Sequence, residues 1–349
     1  MSPSQATDYV IPFLRETEGA RGRIVRLGPV ANTILSRYEY PTPVANLLGE
    51  LLLVAAMLGN NLKQEGIFTI QLRGSGPVSL IVVDAAYGGQ LRGFADVKPE
   101  AVFDKETYRP AELVGKDAYL AITLDPGEGM QRYQGVVALE GETITEALVN
   151  YFTYSQQLDV LFNLTVEKQA AEWVAGGFML ERMPDPLHLP TASDHPPLAG
   201  GRASKAGDRG VVGLTTTPSA SPQPPLPIRE ERIGFPASGE WKEMDANEAW
   251  RTTVALASTI KPAELIDPLL EGETLLYQLF HEEGVRVYPP QPIRTGCRCS
   301  RERILNLLLS MPLEDRADMV EGGEISVHCQ FCNSTEKFSP QDVGLPATQ

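Results

Sequence analysis

All four cysteines of this chain lie between positions 297 and 332, as two tight pairs, Cys297-Arg298-Cys299 and Cys329-Gln330-Phe331-Cys332. No other feature constrains the fold as strongly, because close pairs from two separate segments are what a tetrahedral thiolate site requires. Zinc held by thiolates alone needs four sulfurs about 2.3 Å from the metal. Cys297, Cys299, Cys329 and Cys332 are therefore predicted to bind one Zn2+ ion. His328 abuts Cys329 and is read as a neighbour rather than a ligand. A closed four-sulfur site leaves no open coordination position, so hydrolytic zinc chemistry is not expected and no catalytic residue is assigned.

Such a centre is also a redox-active candidate. Zinc keeps all four sulfurs as thiolates, the form that reacts with oxidants. The module around them, residues 291–349, is too short to build much of a core, so metal binding is expected to supply much of its folding free energy. In zinc-finger peptides that term is about 10–16 kcal/mol. Oxidation would remove it. From spacing, the simplest products are the local disulfides Cys297–Cys299 and Cys329–Cys332, the first of them geometrically tight and so readily reduced.

The remaining sequence predicts an α+β protein: an N-terminal sheet-and-helix domain over 1–183, a Pro/Gly-rich flexible insert over 184–240, a helical linker region over 241–290 and the small C-terminal zinc module. Strands are expected at 24–27, in a hairpin of 67–72 and 78–83 around Gly74-Ser75-Gly76-Pro77, at 90–95, at 118–124 and 133–139, and near Gly176-Gly177. A helix is expected from Pro43 to Leu58, and another after Thr143, where Glu146 completes a capping-box pattern. The insert holds 11 Pro and 7 Gly in 57 residues, about a third of it, which predicts disorder. Beyond it, three short helices are expected around 250–256, 265–270 and 275–280, the second interrupted by Pro268. In the module, Ser300 is an N-cap for 301–310, Pro312 ends that helix or opens the next, Gly322-Gly323 stops the second, and 325–329 reads as a strand.

Charge and composition exclude several classes. The net charge of −15 opposes phosphate-dominated nucleic-acid binding, and residues 291–349 carry 6 Lys/Arg against 8 Asp/Glu. The most apolar stretch, 44–58, contains Asn46 and Glu50 and is too short to span a bilayer, which predicts a buried helix and no membrane association. The first residues lack a basic segment followed by an apolar one, and sparse clustered cysteines suit a reducing compartment, so a cytoplasmic location is expected.

The chain resembles the redox-regulated heat-shock holdase family, the thirty-three-kilodalton chaperonins. The resemblance rests first on Gly296-Cys297-Arg298-Cys299-Ser300-Arg301-Glu302-Arg303 with Cys329-Gln330-Phe331-Cys332. Leu279-Phe280-His281-Glu282-Glu283, Arg92-Gly93-Phe94 and Gly176-Gly177-Phe178 add to it. It implies a reduced, zinc-bound, inactive state. It also implies an oxidised state in which the zinc module and helical linker unfold and expose a surface that holds unfolding client proteins without ATP, with dimerisation on activation. Only the resemblance promotes the apolar stripe Leu275, Leu276, Leu279 and Phe280 from ordinary core to a concealed client surface. Three departures stand out: the length of the insert, Gln156 where the family pattern has Glu, and Glu336 where it has an aromatic residue. Two other readings compete, a structural zinc module binding nucleic acid or a protein partner, and a thiol oxidoreductase using Cys329 and Cys332. The second expects a strand-to-helix placement of the pair. Gly74-x-Gly76 lacks the third glycine of a dinucleotide loop, and His281-Glu282-Glu283 lacks the second histidine of a zinc protease helix.

Overall fold

The computed structural model describes residues 8–16, 19–60, 62, 65–105, 107–127, 130–183, 246–282 and 284–346. The insert predicted over 184–240 lies outside the described residues. The architecture is α+β, as expected, with two antiparallel sheets on either side of one buried helix.

The first sheet is built from β1 (Tyr9–Arg15), β2 (Ala20–Leu27), β9 (Glu172–Arg182) and β8 (Val160–Gln169), in that spatial order. The second is built from β5 (Gln90–Val97), β4 (Val78–Ala86), β3 (Ile67–Arg73), β6 (Tyr119–Asp125) and β7 (Tyr133–Ala138). Between them runs α2 (Thr42–Gly59), which contacts strands of both sheets and is buried over most of its surface, with Asn46 and Glu50 half-buried. A helix this apolar must be largely enclosed, and this one is. Among the described residues it is the one helix long and apolar enough to cross a membrane, and most of it is buried inside the fold.

Strand periodicity decides what covers each face of the first sheet. Val10, Val25, Leu27, Ala175 and Met179 point into the core shared with α2. Ile11, Phe13, Ile24, Phe178 and Leu180 alternate with them and form a second core on the opposite face. That outer face is covered by three helices, α5 (Ala246–Ala257), α6 (Pro262–Ile266) and α7 (Gly272–Phe280), through Ala257, Ile260, Leu265, Leu275, Leu276 and Phe280. The Phe13 ring lies 5.5 Å from Phe178 and 6.0 Å from Phe280, and the Arg15 guanidinium sits 4.4 Å from the Phe280 ring centre. Arg26 Nε donates to the Leu265 carbonyl at 3.1 Å, and Asn163 Nδ2 to that of Ala257 at 3.1 Å, so the ends of two covering helices are tied to the sheet.

Several expectations are refined. The helix expected to be interrupted by Pro268 ends at Ile266, and Leu269 is 91% exposed. Asp267 precedes Pro268, whose ring drives the preceding residue to extended backbone. At α4 (Ile144–Asn150), Thr143 accepts from Glu146 N–H at 3.1 Å, but the Glu146 carboxylate reaches back to Glu142 N–H rather than to the cap. A single π-helical turn, Tyr151–Ser155, follows α4, and there Gln156 donates to Tyr133 Oη at 2.8 Å and Tyr151 Oη at 3.2 Å. An amide can donate to two phenol oxygens; a carboxylate in its place could only accept. Strands β1 and β8 and helices α1 (Pro29–Leu35) and α3 (Pro110–Val114) were not anticipated. Neither were three two-residue strands, β10 (Arg286–Val287), β11 (Gln291–Pro292) and β12 (Arg294–Thr295). The first two pair with β1 and the third runs parallel to β5, which stitches the C-terminal segment to both sheets.

Two predictions follow from this packing. A Cβ on Gly176 would lie 2.4 Å from the Leu265 carbonyl oxygen, too close for α6 to stay seated. Gly176→Ala is expected to raise hydrogen exchange in α6 and α7 while the buried strands keep their protection; unchanged exchange in those helices would show slack that the packing does not reveal. In α2, burial raises the Glu50 carboxyl from its usual 4.5 to about 7. Across that window the native state keeps a proton that the unfolded chain gives up, so stability falls as pH rises. Glu50→Gln escapes this. Its stability relative to wild type, from urea unfolding, should grow by up to about 3 kcal/mol between pH 4 and pH 8.

Candidate metal centre

The cysteines are delivered by two short structures. Cys297 and Cys299 follow β12, and Cys299 immediately precedes Ser300, whose hydroxyl accepts from Arg303 N–H at 3.2 Å and caps α8 (Arg301–Ser310). Cys329 ends β13 (Ile325–Cys329), which pairs antiparallel with β14 (Ser334–Phe338). Cys332 sits in the connecting turn. That turn closes through Asn333, whose φ of 59° is left-handed and whose N–H donates to the Cys329 carbonyl at 2.8 Å. Asparagine is among the few residues that adopt this conformation readily. Helix α9 (Leu313–Asp318) opens after Pro312, and Gly322 and Gly323 shape the turn before β13 rather than ending α9 itself.

All four predicted residues are brought together, with their sulfurs within 4.8 Å of one another. The closest pairs are Cys299–Cys332 at 3.3 Å and Cys297–Cys329 at 3.6 Å. A tetrahedron with metal–sulfur bonds of about 2.3 Å has edges of about 3.8 Å, so this arrangement fits a thiolate-bound ion. It is the one such cluster of metal-ligating side chains among the described residues. His328 points away, to Thr335 Oγ1 at 3.2 Å. The Cys329–Cys332 pair lies in a hairpin turn, so the strand-to-helix setting that a thiol oxidoreductase needs is not met.

Electrostatics argues for a cation. Burial and hydrogen bonds with neighbouring thiols push the Cys299 thiol up. Burial also raises Cys329, against N–H donation from Cys332 and Phe331. Burial works against ionising Cys332 too, but hydrogen bonds from the Ser334 hydroxyl and from Cys299 outweigh it and bring this thiol down to about 6. One thiolate is thus supported by the protein. Gathering four needs a positive ion at their centre, which deprotonates coordinating thiols outright.

The cluster is docked on the second sheet by contacts that sequence reasoning did not reach. Asp84, buried on β4, accepts from Thr69 Oγ1, Arg92 Nε and Arg298 at 2.7 Å each. Arg298 lies between the two ligands of the first pair. Arg92 stacks 3.9 Å over the Phe331 ring, inside the second pair. From the loop after α1, Arg37 donates to the Phe331 carbonyl and Tyr38 Oη to that of Gln330 at 2.8 Å. The Arg92-Gly93-Phe94 motif acquires a physical meaning here. Arg92 and Phe94 face the cysteine hairpin, Phe94 packing edge-on against Tyr38 at 5.5 Å, while Gly93 faces α2, where a Cβ would press on Leu48 and Leu52 at 3.1 Å. The available signal was Asp84 itself, one acid in the apolar run 81–86. Glu336 joins Arg301 at 3.5 Å, and Arg301 also lies 4.3 Å over the Phe338 ring and 3.2 Å from Asp342.

Arg298→Ala removes one docking arm and leaves Asp84 paired with Arg92. It should weaken seating of the cysteine module by about 1–2 kcal/mol, the low end for a charge-assisted contact because the guanidinium keeps access to water. Hydrogen exchange over 297–332 is expected to rise with metal content unchanged. Protection equal to wild type would mean that the Arg37, Tyr38 and Arg92 contacts carry the docking alone.

Comparison with known proteins agrees with this arrangement. A family model described as Hsp33 protein matches residues 8–339. A 33 kDa chaperonin of Caulobacter vibrioides is 35% identical over 342 residues, covering 95% of each chain. One from Pseudomonas fluorescens is 32% identical over 339 residues, covering 97% of this chain and 92% of its own. The crystal structure of a 33 kDa chaperonin from Thermotoga maritima superposes with a TM-score of 0.68 over 96% of both chains at 19% identity, which establishes the shared fold. A match over nearly the whole length, together with two relatives above 30% identity, places this chain in the Hsp33 family.

Proposed function

We propose that this protein is a redox-regulated, ATP-independent holdase chaperone, inactive when reduced and zinc-bound, and not an enzyme. The observation that carries the reading is the four-cysteine cluster docked on the sheets, with the sheet's outer apolar face covered by short helices. The relatives' name, 33 kDa chaperonin, supports it.

Cys297, Cys299, Cys329 and Cys332 hold one Zn2+ in the reduced state. Among the described residues the module they organise has a small apolar core, Leu308, Ile325, Phe338 and Val343 with a few partly buried neighbours, so it depends on the metal. An oxidant of the peroxide or hypochlorous acid class takes two electrons from each pair of thiolates as a sulfur–sulfur bond forms, and Zn2+ leaves. The proposed bridges are Cys297–Cys299 and Cys329–Cys332. The hairpin then loses its hold on Asp84, Arg92, Arg37 and Tyr38, and β10, β11 and β12, which add only two residues each to the sheets, have little left to anchor them. Loss of these anchors frees α5 to α7. Their departure exposes Ile11, Phe13, Ile24, Phe178 and Leu180, a contiguous apolar surface for unfolding polypeptides. The oxidised form acts as a homodimer in the cytoplasm, without nucleic acid or membrane as partner. The domain limits 1–183, 184–240, 241–290 and 291–349 are part of this proposal, with the insert as a tether.

The test couples zinc release to activity. Reduced protein is treated with peroxide under mild heat, zinc is followed with a chromogenic chelator, and light scattering reports aggregation of a thermally unfolding client. About one zinc released per chain is expected, with client protection rising in step and reversed by a thiol reductant. Mass spectrometry should find the two local bridges; bridges crossing between the pairs would overturn the pairing alone. Protection indifferent to redox state, or zinc that survives oxidation, would leave a structural zinc module that binds a partner.

A further inference from the structure

Glu50 is the only charged residue of α2, and it sits at mid-helix among apolar neighbours. Among the described residues it has no hydrogen-bond or ion-pair partner, and the cations of the 105–109 segment pair elsewhere. Lys105 is held by Glu112 at 2.8 Å and Arg109 by Glu142 at 2.6 Å. Its side chain lines a cleft of about 180 Å³ between α2, residues 107–113 and the start of α4. Asn46 lies beside it, Leu47, Leu113 and Ile144 form apolar walls, and Glu142 stands at the rim. The Tyr108 hydroxyl, which also belongs to the lining, is turned to Asp104 Oδ1 at 2.9 Å and leaves its ring to the cleft. No positive group therefore faces Glu50 from α2, α3 or α4.

An unpaired carboxyl in a cleft is costly to ionise unless something brings it a charge. The burial that raises this carboxyl to about 7 keeps it poised between its two forms near neutrality, the condition in which a bound cation changes its state. The donor set excludes a metal: the cysteine cluster is the sole grouping of metal ligands among the described residues, and one free carboxylate is too few for a hard divalent ion. The walls exclude a bare inorganic cation in favour of one with an apolar arm. We propose that this cleft binds a primary ammonium carried on a short alkyl chain. The ammonium donates to Glu50 and to the Asn46 side-chain carbonyl, and the chain lies along Leu47, Leu113 and Ile144. The volume has room for roughly six water-sized groups, an ammonium and four or five carbons. A free alkylamine and a lysine side chain share this chemistry. The site is separate from the metal centre and independent of the chaperone reading.

The reduced, zinc-loaded full chain is titrated calorimetrically at pH 8 with n-butylammonium chloride, with n-butanol as the neutral isostere, and with Nα-acetyl-lysine amide. Saturable binding of butylammonium is expected, at least about tenfold tighter than butanol and weakened about tenfold or more in Glu50→Gln, as loss of a charge-assisted contact requires. Tighter binding of butylammonium assigns the site to free amines, and tighter binding of the lysine amide assigns it to a lysyl side chain of a polypeptide. No binding of either, butanol bound as well as butylammonium, or a folded Glu50→Gln chain with wild-type affinity overturns the proposal. If Glu50→Gln does not fold, the butylammonium–butanol comparison on wild type decides it.

Discussion

The structure depends on a sheet that is apolar on both faces. Antiparallel sheets commonly give one face to water, and their strands alternate apolar and polar accordingly. In β1, β2 and β9 both alternating sets supply buried apolar residues, with Arg15, Arg23 and Glu181 buried among them, so neither face can be left wet. One is covered by α2, which is itself enclosed by the second sheet and cannot leave without unfolding the domain. The other is covered by three short helices joined to the rest by a few hydrogen bonds and three two-residue strands. The two covers differ in what holds them, and that asymmetry makes a conditional surface physically reasonable.

The cysteine module is placed where it can govern the weaker cover. Its first pair follows directly from β12, and its second pair is gripped through the carbonyls of Gln330 and Phe331 and the ring of Phe331. Asp84 joins the arrangement at its centre, buried, accepting from two arginines, one on the neighbouring strand and one between two sulfurs. Departure of the module takes one of the two arginines from this buried carboxylate and leaves it Thr69 and Arg92, so Asp84 favours the docked state. The chemistry of the thiols and the mechanics of the docking thus share residues one or two positions apart.

Much of this was legible in the sequence. The helix over 43–58, the hairpin at 67–83, the strands at 118–124 and 133–139, the Ser300 cap and the pairing of the four cysteines follow from local pattern, because turn chemistry, capping and period are properties of short segments. The strand β8 was missed because its apolar residues are interrupted by Asn163, half-buried on this edge strand, and by Thr165, which is buried. The two-residue strands were unreadable in principle: two residues have no period. The interruption at Pro268 was legible as well, because the residue before a proline is driven out of the helical region, and α6 ends at Ile266.

What the sequence by itself determined is the chemistry of the cysteine cluster and the composition of the pieces. Four thiols in two close pairs admit few other uses, and a helix as apolar as α2 must be largely enclosed wherever it lies. What only the tertiary structure decided is which surfaces meet. That Gly176 admits the Leu265 carbonyl, that Arg298 reaches Asp84 across the chain, and that Glu50 opens on a cleft with no cation in reach are outcomes of packing between segments far apart in sequence. No local pattern encodes them, because each depends on where two elements come to rest, and that is set by the summed burial of both cores rather than by any one stretch of residues.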